Sequence, residues 1–192
     1  MGRELEYKYK GTEAAFAALE QRFGPFTPIT METTYYDTPD AALSNRRWTL
    51  RRRMENGVSV CTLKVPLSDG SRGEWEAEAP SIEAGVEALC ALGAPGELGQ
   101  VRNLLPTCGA RFTRLAAWVT LPDARCELAL DRGILLGGGR ELPLLEVEVE
   151  YKEGREAAVC AFGSALAREL GLTEEPLSKF ARARRLCLCV VY

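Results

Sequence analysis

The residues with chemistry to offer lie on alternating stretches, and the alternation sorts them by charge. In "ELEYKYK" at residues 4–10, a period of two sets Glu4, Glu6, Lys8 and Lys10 on one side. Leu5, Tyr7 and Tyr9 fall on the other, which is the pattern of a half-buried strand. "RWTLRRRM" aligns Thr49, Arg51 and Arg53 opposite Trp48, Leu50 and Arg52, and "VCTLKV" aligns Thr62 and Lys64 opposite Cys61, Leu63 and Val65. "GEWEAEA" does the same with Glu74, Glu76 and Glu78, "CELALD" with Glu127 and Asp131, and "LLEVEVEY" with Glu146, Glu148 and Glu150. One such face alone is what any solvated sheet shows. Taken together, bases dominate residues 51–64, acids dominate 127–150, and the first stretch carries both. A sheet that curls on itself would bring these faces together in a tunnel and turn the apolar faces outward onto helices.

Such a tunnel requires counterions. Clustered carboxylates raise one another's pKa values unless a divalent cation neutralises them. Oxygen-only ligands favour Mg²⁺ or Mn²⁺ over zinc. Clustered Arg and Lys want a polyanion, Arg as a planar fork for phosphate oxygens and Lys as a movable point charge. A metal-bound polyphosphate satisfies both sets. The chain has no histidine, which excludes Ser-His and Cys-His nucleophile systems, histidine bases and histidine metal sites.

The elements that must position these residues are legible in outline. Strand-like stretches run over 3–10, 31–37, 47–54, 58–65, 73–79, 111–121, 125–131 and 143–151. "SDGSRG" and "LPDA" mark turns, and Asn56-Gly57 marks a hairpin. Helical stripes follow Thr12 (Phe16, Leu19, Phe23) and Ser81 (Ile82, Val86, Leu89). A third stripe, Val159, Phe162, Leu166 and Leu170, stops at Gly171. Weaker helices are expected over 97–105 and 177–185. The sum is an α+β fold, a mainly antiparallel sheet of about eight strands with helices on one side.

A length of 192 residues predicts a single domain over 1–192, and the 46% hydrophobic content suffices for a core. The net charge of −3 offers no basic excess to attract nucleic acid. No apolar run approaches the ~20 residues of a membrane span and no signal segment is evident, which predicts a cytoplasmic protein. The seven cysteines sit mostly in apolar contexts, as reduced core thiols do. Cys187 and Cys189 have CxC spacing but no second pair, so core packing is favoured over zinc.

At this point the residues resemble the CYTH superfamily, the triphosphate tunnel metalloenzymes. Glu4-x-Glu6-x-Lys8 resembles the family's ExExK signature. "YYDTP" at 35–39, "LRRR" at 50–53, "TLK" at 62–64, "RGEWE" at 72–76, "ELALDRG" at 127–133, "EVEVE" at 146–150 and "LSK" at 177–179 follow in family order. "RFTRLAAW" followed by "ELALDRG" most resembles the bacterial inorganic triphosphatase branch, some members of which append a helical domain that this chain is too short to contain.

The resemblance implies an eight-stranded antiparallel closed β-tunnel with helices packed outside. It implies hydrolysis of tripolyphosphate with Mg²⁺ or Mn²⁺, with thiamine triphosphatase, class IV adenylyl cyclase and a non-catalytic binding module as the other readings. By resemblance, Glu4, Glu6, Asp131, Glu146 and Glu148 hold metal, and Lys8, Arg51, Arg53, Lys64, Arg114 and Lys179 bind phosphates. Tyr35 assists Lys8. Arg111 is the alternative to Arg114 as the inward residue of its strand, and Glu74 and Glu76 could instead support Arg51 or Arg53. The expected partner is a small-molecule polyphosphate, not nucleic acid or a membrane, and a homodimer is compatible with such a chain.

Overall fold

The computed structural model describes residues 2–68 and 71–188. Its strands are β1 (Gly2–Glu4), β2 (Glu6–Lys10), β3 (Thr27–Asp37), β4 (Thr49–Glu55), β5 (Val58–Pro66), β6 (Arg72–Glu78), β7 (Leu105–Leu121), β8 (Ala124–Gly137), β9 (Arg140–Gly154) and β10 (Thr173–Glu174). Its helices are α1 (Glu13–Phe23), α2 (Ala42–Asn45), α3 (Ile82–Ala91), α4 (Glu156–Leu170) and α5 (Lys179–Leu188). A 3₁₀ turn at Gly96–Gln100 stands where a helix over 97–105 is expected. Asp69, Gly70 and Cys189, and with them part of the "SDGSRG" turn and of the CxC pair, lie outside the described residues.

All strand pairs are antiparallel, in the order β1-β6-β5-β4-β3-β7-β8-β9-β2-β10. The described ladder thus has ten strands rather than eight and is not closed by hydrogen bonds. The N-terminal stretch serves both of its ends. Gly2–Glu4 pairs with residues 72–74 of β6, and Glu6–Lys10 pairs with residues 146–150 of β9. One short run of chain therefore spans from one margin of the curled sheet to the other, dividing at Leu5, whose carbonyl accepts from the Tyr151 amide at 2.9 Å. The expected strand over 3–10 is split there, because a single residue cannot pair with both margins at once.

Apolar faces turn outward as the alternation requires. Leu128, Leu130, Val147 and Val149 are fully buried and pack with Phe16 and Leu19 of α1 and Val159 and Leu166 of α4. Leu50, Leu63 and Trp75 pack beneath Ile82 and Leu89 of α3. Each such side chain contributes about 1.5–3 kcal/mol. The caps match the sequence reading. The Ala15 amide donates to Thr12 Oγ1 at 3.1 Å, the Ala84 amide donates to Ser81 Oγ at 3.3 Å, and Gly171 takes φ 62° at the end of α4. The short α2 has no apolar stripe to announce it. It is held instead by Asp37 of "YYDTP", whose carboxylate accepts from the Leu43 and Ser44 amides at 2.9 and 3.1 Å.

α5 is the exception to helices lying outside. Ala183 and Phe180 join Met31, Tyr35, Phe112, Leu135 and Leu144, side chains of the concave face, in a third cluster. Gly137 of β8 admits this approach, since a Cβ there would lie 2.3 Å from the Ala183 carbonyl oxygen. The helix plugs one end of the curled sheet.

Candidate active site

The charged faces converge on one cavity of about 330 Å³, within the range of small-ligand sites. Glu4, Glu6, Lys8, Tyr35, Arg51, Arg53, Lys64, Arg114, Glu148 and Lys179 all line it. Register explains the convergence: Arg51 pairs with Tyr35 and Thr62, Thr49 with Lys64, and Lys64 with Glu74. Each strand thereby delivers its charged parity to the same side.

The basic wall is β4 and β5. Arg51 Nη2 lies 3.9 and 3.7 Å from Glu74 and Glu76, and Arg53 Nη1 donates to Glu55 at 2.9 Å. Lys64 Nζ bonds Glu4 and lies 3.3 Å from Glu74. Glu74 and Glu76 thus brace the bases from outside the acid wall. The Nε atoms of Arg51 and Arg53 are buried with no hydrogen-bond partner. Burial and the neighbouring charges of Arg51 and Arg114 push Arg53 down to about 10. Buried, mutually repelling guanidiniums with idle donors call for an anion.

The acid wall is β1, β2 and β9, with Glu127 from β8. Burial, and after it the charges of Glu148 and Glu4, raises the Glu6 carboxyl above its usual range. Burial likewise raises Glu150, with Glu127 and Glu4 adding to the shift against Lys152. Burial also acts on Glu4, but Lys64, then Arg51 and Arg72, outweigh it and hold that carboxyl low. Lys8 sits at the seam, 3.3 Å from Glu6.

Asp131 and Glu146 are placed differently. Both are fully buried and lie beneath the cavity wall. With Glu148 they set one carboxylate oxygen each within 4.8 Å of one another, a compact oxygen donor set. Those oxygens are engaged by bases of the chain. Arg114 grips Asp131 with a two-pronged fork at 2.8 and 2.7 Å and also bonds Glu148. Lys179 reaches Asp131 at 2.8 Å, Glu148 at 2.6 Å and Glu146. Burial works to neutralise Lys179, but the three carboxylates overcome it and raise its pKa. Burial pushes Glu146 up to about 7.

Arg114 is the inward residue of β7. Arg111, of opposite parity, meets Glu141 at 3.4 Å on the open surface, both side chains more than half exposed. Phe112 shares the Arg114 face because it packs against α5, and this interrupts the alternation. Burial raises the Tyr35 pKa against the charges of Arg51, Arg53 and Lys179 and keeps the phenol protonated. Those three, rather than Lys8, are its charged neighbours, and its ring meets Phe180 at 5.0 Å.

Sequence reasoning missed Arg72, Glu55, Lys152 and Ser178, which also line the cavity, and Arg182, which bonds Glu146 and lies 3.5 Å from Glu175. The i, i+3 spacing of Lys179 and Arg182 puts both on one helix face and could have signalled the second.

Comparison with known proteins agrees with this architecture. The CYTH domain family model matches residues 2–183. An inorganic triphosphatase from Haemophilus influenzae is 28% identical over 191 residues, covering 95% of this chain and 54% of that protein. The chain thus spans about half the length of that relative. A structure from Hippeastrum, of an adenylyl cyclase candidate whose dominant activity is as a triphosphatase, matches with a TM-score of 0.67 at 22% identity over 96% of both chains. A Pyrococcus horikoshii protein matches with a TM-score of 0.63 at 21% identity, over 95% of this chain and 99% of its own. At these identities the solved structures speak for the fold alone.

Proposed function

As the chain belongs to the CYTH domain family, matched over residues 2–183, we propose that it hydrolyses inorganic tripolyphosphate to pyrophosphate and phosphate with Mg²⁺ or Mn²⁺. The observation that carries this reading is the pairing of an acid wall with a basic wall whose buried Arg51 and Arg53 Nε atoms lack partners. The relative named an inorganic triphosphatase supports the same substrate class. Tripolyphosphate is preferred over ATP because charge dominates the cavity. The apolar side chains there, Ile29, Met31, Phe112 and Phe180, belong to the cluster that packs around α5.

Arg51, Arg53 and Lys64 bind the phosphate chain along the basic wall, and the protonated Tyr35 hydroxyl donates to it. Lys8, at the seam, stabilises negative charge developing on the phosphoryl oxygens as the bridging P–O bond breaks and water adds to phosphorus. The oxygen-only donors Glu4, Glu6 and Glu148 fit a hard divalent cation, which would stabilise the Glu6 charge that burial, and after it Glu148 and Glu4, disfavour. Asp131 and Glu146 are better suited to positioning, since both are sealed beneath the cavity wall that Glu4, Glu6 and Glu148 line. Bound at the acid wall, the ion would neutralise phosphate oxygens and lower the pKa of a water. No side-chain nucleophile is required, as the absence of histidine already suggested.

The test is phosphate release from tripolyphosphate, ATP and thiamine triphosphate with Mg²⁺ or Mn²⁺, with cyclic AMP measured alongside. Tripolyphosphate should be turned over fastest. Rapid cyclic AMP formation with negligible phosphate release would assign the protein to the cyclases instead.

A further inference from the structure

Beside the start of α5 lies a second cavity, of about 380 Å³. Three arginines, Arg47, Arg72 and Arg184, line it, together with Ser44, and among the described residues no carboxylate does. Among the described residues, Arg47 and Arg184 enter no ion pair. The Ser44 hydroxyl oxygen is buried without a hydrogen-bond partner. In a protein of net charge −3, guanidiniums that face no acid among the described residues are the lining an oxyanion requires.

This pocket adjoins the tunnel. Thr49, Arg72, Ser178 and Phe180 belong to the walls of both cavities. Arg72 is fixed between them, donating from Nη2 to Thr49 Oγ1 at 3.1 Å. Ser178 caps α5, its Oγ accepting from the Ala181 amide at 3.1 Å, so the positive end of the helix dipole lies at the same junction. Basic surface therefore continues from the Lys64 wall, past Arg72, to Arg47 and Arg184.

We propose that this second cavity is a phosphate site continuous with the tunnel, taking phosphoryl groups beyond those held by Arg51, Arg53 and Lys64. It rests on the triphosphate reading of the tunnel. The anion is either the further end of a linear polyphosphate longer than the tunnel accommodates or free phosphate. Both present the same oxyanions to the same forks, and the variants below separate them.

The experiment compares wild type with the Arg47→Ala/Arg184→Ala double variant, neither residue lining the tunnel. Calorimetry without metal measures binding of orthophosphate, tripolyphosphate and a long-chain polyphosphate, and turnover of tripolyphosphate is measured with Mg²⁺. The expected result is unchanged tripolyphosphate turnover with long-chain binding weakened roughly tenfold or more, about 1.4 kcal/mol. Loss confined to orthophosphate also supports the site and identifies its occupant as the free anion. Identical binding of all three ligands by both proteins overturns the proposal. So does a loss of tripolyphosphate turnover in the folded double variant, which would make the pocket part of the first site. Wild type that turns over no triphosphate, yet loses long-chain binding on the double substitution, would defeat the hydrolytic reading and leave the second site standing.

Discussion

Glu6 and Arg53 face the same cavity with opposite needs, and they give the sharpest test of the division between walls. Glu6→Gln preserves shape while removing a charge that burial and its acidic neighbours already disfavour. Activity should fall and recover in part at high Mn²⁺, read as an increased apparent metal requirement. Arg53→Ala removes a fork whose Nε awaits a partner. The KM for tripolyphosphate should rise roughly ten- to a hundredfold, the worth of a hydrogen bond to a charged group, with no recovery on added metal. Equal metal rescue of both variants would contradict the sorting of charge by strand. Arg111, in contrast, stands outside with Glu141. Arg111→Ala should leave both parameters at the wild-type value, and a changed KM would reverse the assignment of Arg114 as the inward residue.

At the scale of elements, α5 depends on Lys179, and so does the floor beneath the cavity. Lys179 is shared among Asp131, Glu146 and Glu148, all buried. Lys179→Met would leave those carboxylates short of a cation and should cost about 3–5 kcal/mol in urea denaturation. Arg22→Ala breaks the exposed pair with Glu169, both side chains more than half exposed, and should cost less than about 1 kcal/mol. Similar losses for the two would mean that the buried cluster does not anchor the helix. Gly137→Val tests the same contact from the strand side. Its Cβ would collide with the Ala183 carbonyl, so α5 should lift and activity should fall while the outer clusters keep the sheet folded.

Over the whole molecule, buried neutral groups set the alkaline limit. Burial pushes Tyr7 up to about 12 and Cys108 and Cys126 up to about 11, from ordinary values of 10.0 and 9.0. The fold holds these groups protonated where the unfolded chain has released the proton. Their contribution is therefore complete below about pH 9 and is lost as pH rises through 11 and 12. Tm should fall across that window, less steeply in Tyr7→Phe. A flat profile through about pH 11 would show that these groups titrate alike in both states.

The sequence by itself determined which side of each strand is charged, because side-chain direction alternates with period two whatever the strand pairs with. That local rule was enough to put Glu4, Glu6, Lys8, Arg51, Arg53, Lys64 and Glu148 on one inner surface. It also located α1, α3 and α4, whose caps and stripes are local too. Other features depend on partners distant in the chain, and only the tertiary structure decided them. The split at Leu5 arises because two sheet margins compete for one stretch. The inward course of α5 requires the bare backbone of Gly137, and the choice of Arg114 over Arg111 follows from Phe112 packing beneath that helix. The roles of the acids divide for the same reason. Glu146 and Glu148 share a parity in β9 and both bond Lys179, yet Glu146 is also held by Arg182 and sealed from the cavity, while Glu148 lines it.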